Sequence, residues 1–93
     1  MRRIDETRTF RRDRKRERKG PHGARLNDLL RAVLVSLATD QPLPPNYRDH
    51  PLTGNWADHR DCHLRPDLVL IYRKPDTETL QLVRLGSHSE LGL

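Results

Sequence analysis

Four of the five histidines in this 93-residue chain lie in its second half, at His50, His59, His63 and His88. The pKa of a free histidine, about 6.5, suits proton transfer near neutral pH. An enzyme that cleaves RNA through the RNA's own 2′-OH needs a group to remove that proton, an acid to protonate the departing 5′-oxygen, and a cation for the phosphate charge. One set of residues supplies all three types and indicates a nuclease that needs no metal: His50, His63, Asp67, Arg84 and His88. A single histidine taken alone is more often an inert surface residue.

A zinc site is the competing interpretation, because His59, Cys62 and His63 are close in sequence. Zinc sites usually combine a pair of ligands at C-x₂-C or H-x₃-H spacing with a second pair elsewhere in the chain. If residues 57–64 form a strand, His59 and His63 share one face while Cys62 points to the other. We therefore expect no metal site, and we expect Cys62 to be a small buried core residue.

Three further side chains each have two interpretations. Tyr47 and Trp56 could stack on a base, but such residues more often pack in a core. Arg60 could form a buried ion pair or bind phosphate, and the sequence does not separate the two. No phosphate-binding glycine loop, G-x-S-x-G or H-E-x-x-H motif is present.

The composition predicts one small domain over residues 1–93 with a thin core. Hydrophobic and charged residues each make up 33% of the chain, and a chain this short buries only about 60–65% of its unfolded surface. No apolar run approaches the roughly 18 residues of a membrane span. The N-terminus is charged from Arg2 onward without an apolar signal-peptide core, and Cys62 is the only cysteine. We therefore expect a cytoplasmic protein without a membrane segment.

The positive charge is concentrated at the N-terminus. Residues 1–25 hold eleven basic and four acidic residues, a balance of +7, whereas residues 26–93 hold seven basic and nine acidic residues, a balance of −2. Such a segment attracts polyanions such as RNA, DNA or an acidic protein surface, although it could also be a solvated arm. The residues predicted to bind RNA are Arg11, Arg12, Arg14, Lys15, Arg16, Arg18 and Lys19.

Two helices and three strands are predicted, with a further short strand within residues 1–8. Residues 8–19 form a basic helix that ends at Gly20-Pro21 and has Phe10 as its only strong apolar anchor. Residues 24–39 form an amphipathic helix, because its apolar side chains recur at i, i+3, i+4 and i+7. Residues 56–64, 68–72 and 80–85 read as strands joined by short turns, within an antiparallel sheet spanning 56–91. The predicted fold class is α+β.

Three ordered motifs then resemble one family. Residues 43–56, LPPNYRDHPLTGNW, resemble the L-P-x-x-Y-x-D-H-x-L-x-G-x-W signature of YafQ-type toxins in the RelE/ParE superfamily of type II toxin–antitoxin systems. Residues 60–67, RDCHLRPD, resemble the family's R-[DE]-[AC]-H-[IV]-x-P-D, and residues 84–91, RLGSHSEL, resemble R-T-G-[ST]-H-x-x-L-F. The resemblance is strong over residues 43–91 and looser over the two predicted helices.

The resemblance implies an mRNA interferase: a ribosome-dependent endoribonuclease that enters the ribosomal A site, cuts the message and is blocked by a cognate antitoxin. It implies a small RelE-like fold, in which an N-terminal strand and two helices pack on an antiparallel sheet of about four strands. It implies no cofactor and a toxin–antitoxin complex that is a higher-order hetero-oligomer. The family's functional positions fall on the five residues of the nuclease set.

We assign a role to each of these five positions as a hypothesis. His88 is the general acid, and His63 or Asp67 helps to remove the 2′-OH proton. His50 positions or polarises the phosphate, and Arg84 stabilises its developing charge. Two rival functions remain: a ParE-like gyrase inhibitor, and a non-catalytic RNA-binding or ribosome-binding module or inactivated toxin.

Four positions depart from the family pattern. Leu68 and Gly92 replace aromatic residues that members often place near the message, so base stacking and codon preference are in question. His59 replaces a residue that is often aromatic, and Leu85 replaces the threonine of R-T-G. None of these changes removes a proton-transfer group.

Overall fold

A computed structural model describes all of residues 1–93. The chain forms a five-stranded sheet in the order β1-β5-β4-β3-β2, with two longer helices and one short C-terminal helix. The elements are β1 (Arg3–Glu6), α1 (Arg8–Glu17), α2 (Leu26–Ala38), β2 (His50–Pro51), β3 (Arg60–Arg65), β4 (Leu68–Arg73), β5 (Thr79–Gly86) and α3 (His88–Leu91). The α+β fold class is confirmed. None of the helices has the length and apolar composition needed to cross a membrane.

The sheet is mixed, which corrects the prediction of an antiparallel sheet of about four strands. β3, β4 and β5 form the predicted antiparallel meander, but β1 pairs with β5 in parallel, from Arg3 opposite Thr79 to Glu6 opposite Leu82. A parallel neighbour needs a crossover, and the two helices lie in the chain between these strands. The fifth strand, β2, is only two residues long and pairs with the free edge of β3.

One face of the sheet carries the main core. Phe10 of α1 is fully buried, which confirms its role as the anchor of that helix. The stripe of α2 supplies Leu26, Leu30, Val33 and Leu37, all buried. Only 21 of the 93 residues are buried in total, so the core is thin, as the composition predicted.

Several predicted boundaries are wrong. The strand placed over residues 56–64 begins at Arg60, because residues 54–56 form a short 3-10 turn and Asp58 has a φ of 69°. His59 therefore lies outside the strand and does not share a face with His63. The sheet predicted to reach residue 91 ends at Gly86, where Ser87 and Glu90 form a capping box that starts α3. The two long helices are shorter than predicted by one to two residues at their ends.

Helix α1 covers the part of β5 that extends beyond β1. The Thr7 hydroxyl donates to the Val83 carbonyl at 2.8 Å and also caps the helix. Asp13 accepts the Leu85 N–H at 3.0 Å, while Arg16 donates to the Leu85 carbonyl at 2.8 Å. Side chains of α1 thus satisfy an edge that would otherwise present unpaired backbone groups. This places the basic helix directly beside the segment that leads to His88.

Candidate active site

Three histidines predicted from the sequence converge on one surface. His50 comes from β2, His63 from β3, and His88 is the first residue of α3. The rings of His63 and His88 are 4.9 Å apart between centroids, and those of His50 and His63 are 6.4 Å apart. His63 is half-buried, whereas His50 and His88 are exposed. Three proton-transfer groups therefore share one accessible site.

The segment before His50 is held by a buried tyrosine. The Tyr72 hydroxyl donates to Asp49 Oδ1 at 2.6 Å, and Arg60 Nε donates to the same oxygen at 3.2 Å. Arg60 therefore forms an ion pair, but its side chain is exposed and not buried as the first of its two interpretations predicted. Both contacts hold Asp49, which lies between Arg48 and His50 in the chain, and so help to position these two residues.

The tautomer of His50 follows from one hydrogen bond. Its Nδ1 lies 2.6 Å from the Arg48 carbonyl oxygen, which can only accept. Nδ1 must therefore carry the proton, and in the neutral ring Nε2 keeps a free lone pair. His50 is thus able to accept a proton as well as to orient a phosphate.

Asp61 is a buried carboxylate beneath two of the histidines, and sequence reasoning gave it no role. Its Oδ1 lies 3.2 Å from His50 Nδ1 and 3.8 Å from His63 Nε2, and it has no hydrogen-bond partner. Burial raises the pKa of Asp61, and the three nearby histidines only partly oppose this. A charge without a hydrogen-bond donor inside the protein is costly.

The environment of His63 favours its neutral form. Burial lowers its pKa below the ordinary value of 6.5, and His88 and Arg48 act in the same direction. Asp61 opposes these effects but does not outweigh them. His63 is therefore unprotonated at neutral pH, the form that a general base requires.

Asp61→Asn should raise stability at neutral pH. The raised pKa means that the charged form is less favourable in the folded chain than in the unfolded one, so the penalty is present at pH 7 and disappears below 3.8. We expect a gain of about 1 kcal/mol in the free energy of unfolding at pH 7, measured by urea titration, that shrinks as the pH falls towards 4. Asp58→Asn, at an exposed position, is the control. A loss of stability at pH 7 in Asp61→Asn would contradict this account.

Asp67 and Arg84 each pair with a residue outside the three histidines. Asp67 lies in the exposed β3–β4 turn, where its carboxylate contacts His22 Nε2 at 2.9 Å. Arg84 Nε donates to buried Asp13 at 2.7 Å, and Arg84 Nη2 lies 3.3 Å from the other carboxylate oxygen. Their catalytic roles stay predictions.

Two clefts open on either side of His88. One, of about 560 Å³, is lined by His63, His88, Asn46, Arg48 and Arg65, with Leu64 and Pro66. The other, of about 480 Å³, is lined by residues that include His50, Leu52, Trp56, Asp61 and His88. His88 is the side chain common to both. Arg48 and Asp61 are the site residues that motif-based reasoning passed over, because only the fold shows which charges reach the histidines.

The predicted alternatives for the remaining side chains are largely resolved. Cys62 is fully buried, as predicted, and burial raises the pKa of its thiol. His59 packs edge-on against Trp56, with 5.3 Å between ring centroids. No three His, Cys, Asp or Glu side chains are placed to share one metal ion. Leu68 is fully buried in the main core.

The basic helix contains two kinds of cation. Arg14 pairs with Glu6 at 2.5 Å, and Arg16 pairs with Asp13 at 2.9 Å, so both have a structural role. The other residues of the predicted RNA-binding set are exposed and form no ion pair: Arg11, Arg12, Lys15, Arg18 and Lys19. The helix therefore has a neutralised inner side and a positive outer side.

Sequence comparison gives consistent matches. The family model described as "Bacterial toxin of type II toxin-antitoxin system, YafQ" matches residues 2–92. The mRNA interferase toxin YafQ of Escherichia coli K12 is 39% identical over 66 residues, which is 71% of each chain. A Haemophilus influenzae relative, also named YafQ, is 47% identical over 55 residues, which is 56% of this chain and about half (54%) of that protein.

Solved structures extend the likeness to the whole fold. The crystal structure of YafQ from Escherichia coli BL21(DE3) matches with a TM-score of 0.84 at 33% identity, covering 98% of both chains. The chain in the crystal structure of the Escherichia coli DinJ–YafQ complex matches with a TM-score of 0.80, also at 33% identity and 98% coverage of both chains. With the three histidines in place and the family matched from residue 2 to residue 92, this chain belongs to the YafQ family of bacterial type II toxin–antitoxin toxins.

Proposed function

We propose that this toxin is an mRNA interferase, a ribosome-dependent endoribonuclease that cuts translated messages in the A site. The observation that supports it best is the meeting of His50, His63 and His88 at one open surface. The name of the Escherichia coli relative, mRNA interferase toxin, points the same way. A gyrase inhibitor has no use for this histidine set.

In the proposed reaction the 2′-oxygen attacks the adjacent phosphorus and the bond to the 5′-oxygen breaks. His88 donates a proton to the departing 5′-oxygen. His50 or His63 takes the 2′-OH proton, because His50 Nε2 keeps a free lone pair and His63 is neutral. The hypothesis from the sequence named His63 or Asp67 as the base; we propose His50 in place of Asp67, because the Asp67 carboxylate pairs with His22 in an exposed turn. The product carries a 2′,3′-cyclic phosphate, which becomes a 3′-phosphate when water adds to phosphorus and the bond to the 2′-oxygen breaks.

The direct test is cleavage by the purified chain of a defined mRNA on programmed ribosomes. Sequencing of the products should place the cut within the A-site codon, and the same message without ribosomes should stay intact. Equal cleavage of free and ribosome-bound message would contradict ribosome dependence. No cleavage of either, together with ribosome binding, would favour the non-catalytic module.

We expect cleavage to need no transition metal. Acid–base catalysis by imidazoles uses no Lewis acid, and each step of the proposed reaction has a protein side chain to carry it. Ribosomes must keep their Mg²⁺, so the measurement is the cleavage rate with and without 1,10-phenanthroline at constant Mg²⁺. The rate should change by less than about twofold, well below the ~10²-fold worth of a catalytic group. Inhibition that added Cu²⁺ or Zn²⁺ reverses would contradict a metal-independent reaction.

The outer side of α1 should bind ribosomal RNA. Counterion release makes such binding depend steeply on salt. Reversing Arg12, Lys15 and Lys19 to glutamate should weaken ribosome affinity by at least about tenfold at 0.1 M salt and flatten the plot of log affinity against log salt. Cleavage once bound should change less than the affinity does.

The control for this charge reversal is an equal one outside α1. Arg3, Arg25 and Arg31 are exposed and lie on other elements. If reversal of these three weakens binding as much, net charge rather than the helix governs ribosome affinity. Ribosome affinity that does not respond to salt would show that α1 does not bind RNA.

An antitoxin is the proposed protein partner, as DinJ is for the Escherichia coli YafQ chain in the solved complex. Its contact segment should be acidic where it faces residues 8–19. Two modes of inhibition are open: covering the histidine site, or adding bulk that excludes the toxin from the A site. We favour exclusion, because any folded partner is large beside a chain of 93 residues. A complex that still binds the A site without cutting would favour a covered site.

A further inference from the structure

We propose that Arg48 is a catalytic residue: its guanidinium, rather than that of Arg84, binds the non-bridging oxygens of the scissile phosphate. This proposal rests on the proposed nuclease function. It changes the sequence-based assignment, in which Arg84 has this role.

Arg48 has the right neighbours. It lines the same cleft as His63 and His88, and its carbonyl accepts the Nδ1 proton of His50. It is close enough to His63 for its charge to contribute to the lowered pKa of that ring. The residue therefore neighbours both candidate bases and lines one cleft together with the candidate acid.

The guanidinium of Arg48 is also free. It forms no ion pair and no hydrogen bond within the chain, and the residue is exposed. Arg84, by contrast, directs two of its nitrogens to the buried carboxylate of Asp13. Releasing Arg84 to bind RNA would leave that carboxylate without its strongest partner. Arg48 can bind a phosphate without breaking an ion pair.

The backbone of Arg48 supports a functional reason for its side chain. Its φ of 51° and ψ of 40° are left-handed, a conformation that glycine adopts at far lower cost than arginine. The turn is fixed on both sides, since the Arg48 N–H donates to the Pro45 carbonyl and the Arg48 carbonyl accepts from His50. Non-glycine residues held in such conformations cluster at functional sites. An arginine in a conformation that favours glycine, lining the same cleft as His63 and His88, fits a use for its side chain.

In the reaction, charge accumulates on the non-bridging oxygens as the new bond to phosphorus forms and the bond to the 5′-oxygen breaks. A guanidinium can donate two parallel hydrogen bonds to those oxygens. The proton taken from the 2′-OH and the proton given by His88 balance, so Arg48 gains and loses none. Its contribution is electrostatic stabilisation of the transition state.

The test exploits the left-handed backbone. Arg48→Gly removes the guanidinium and relieves the backbone, so the protein should melt no lower than wild type while its single-turnover rate on saturating ribosomes falls by about 10²-fold. Arg48→Lys keeps the charge and should recover part of that loss.

Sulfur in place of a non-bridging oxygen of the scissile phosphate should slow cleavage by the wild type more than it slows cleavage by Arg48→Gly. The pKa of His63, followed by NMR, should rise in Arg48→Gly.

Arg48→Gly makes two changes, because it relieves a left-handed backbone and removes a positive charge. Two control variants each make one of these changes elsewhere in the chain. Asp58→Gly relieves another exposed left-handed residue, with φ 69°, and Arg31→Gln removes an exposed charge from α2. Both should cut within about threefold of the wild-type rate. If Arg48→Gly also cuts at that rate while His88→Ala does not, this inference is wrong and the nuclease proposal stands. If the wild type does not cut, both fail. A slow Arg48→Gly that melts lower and that lysine does not rescue would assign Arg48 a structural role only.

Discussion

Replacing His88 by alanine should lower the single-turnover rate of mRNA cleavage on programmed ribosomes by about 10²–10⁴-fold, the usual contribution of a general acid or base. His88 lines both clefts and packs edge-on against His63, with ring centroids 4.9 Å apart. The 5′-oxygen is a poor leaving group unless it is protonated. Ribosome affinity should stay within about threefold of wild type, because His88 is not one of the exposed cations of α1 that are proposed to bind RNA.

Alanine at position 88 should leave the fold intact. The capping box of α3 is formed by Ser87 and Glu90, and the buried contact is made by Leu91. None of these uses the imidazole of His88. If the melting temperature of His88→Ala is unchanged, a lower cleavage rate is therefore due to the loss of the catalytic imidazole and not to unfolding.

The matched control for His88→Ala is His59→Ala. His59 lies against Trp56 and is not among the residues that line either cleft. Its removal should change the rate by less than about threefold. Growth arrest on expression should follow the same order, with His59→Ala toxic and His88→Ala tolerated. Undiminished cleavage by His88→Ala would refute the assignment of the acid.

The parts of the site that follow from the sequence are those that local motifs contain. His50, His63 and His88 each occur in a motif with fixed neighbours, and the fold brings all three together. Asp61 lies in the same motif as His63, but its side chain is buried only because β2 pairs with β3 at this position. A strand of two residues cannot be predicted from the sequence, so the burial of Asp61 could not be predicted either. Arg48 has a charged side chain like many others in this chain. Its position beside the histidines depends on a left-handed turn, and a non-glycine residue in the sequence gives no indication of such a turn.

The fold, too, has parts that can be predicted from local sequence and parts that cannot. Helix α2 and strand β4 follow from periodicity and from an apolar run, because each buries a pattern that is visible locally. The parallel pairing of β1 with β5 joins residues more than 70 positions apart, and four largely polar residues give no sign of it. Strand and helix also compete over residues 86–91, where the Ser87–Glu90 capping box favours helix over a continued strand.

Replacing Asp13 by alanine should be the most destabilising single change outside the apolar core. Asp13 is 2% exposed and accepts from Arg84, Arg16 and the Leu85 N–H. Breaking a buried pair by removing one partner costs about 3–5 kcal/mol; because Arg84 and Arg16 are 25% and 41% exposed, we expect about 2–4 kcal/mol. For a domain of this size each kcal/mol lowers the melting temperature by about 4–8 °C.

The pH dependence of the free energy of unfolding tests whether the charge of Asp13 is the cause of this stabilisation. Burial alone would raise the pKa of Asp13, but the hydrogen bonds from Arg84 and Leu85 outweigh it and hold the pKa below 3.8. A carboxyl whose folded pKa is lowered stabilises the fold fully above its unfolded pKa, and that stabilisation is lost as the pH falls through the folded value. The difference between wild type and Asp13→Ala should therefore be constant from pH 5 to pH 8 and shrink below about pH 3.8.

Two further variants separate charge from shape at this position. Asp13→Asn keeps the size and one acceptor for the Leu85 N–H, so it should recover part of the lost free energy but none of the acid-range pH dependence. Asp28→Ala, an exposed acidic residue in the first turn of α2, should cost less than about 1 kcal/mol. If Asp13→Ala costs no more than Asp28→Ala in urea titrations at pH 7, the basic helix does not depend on this carboxylate. Phe10 and the hydroxyl of Thr7 would then have to hold α1 against β5 by themselves.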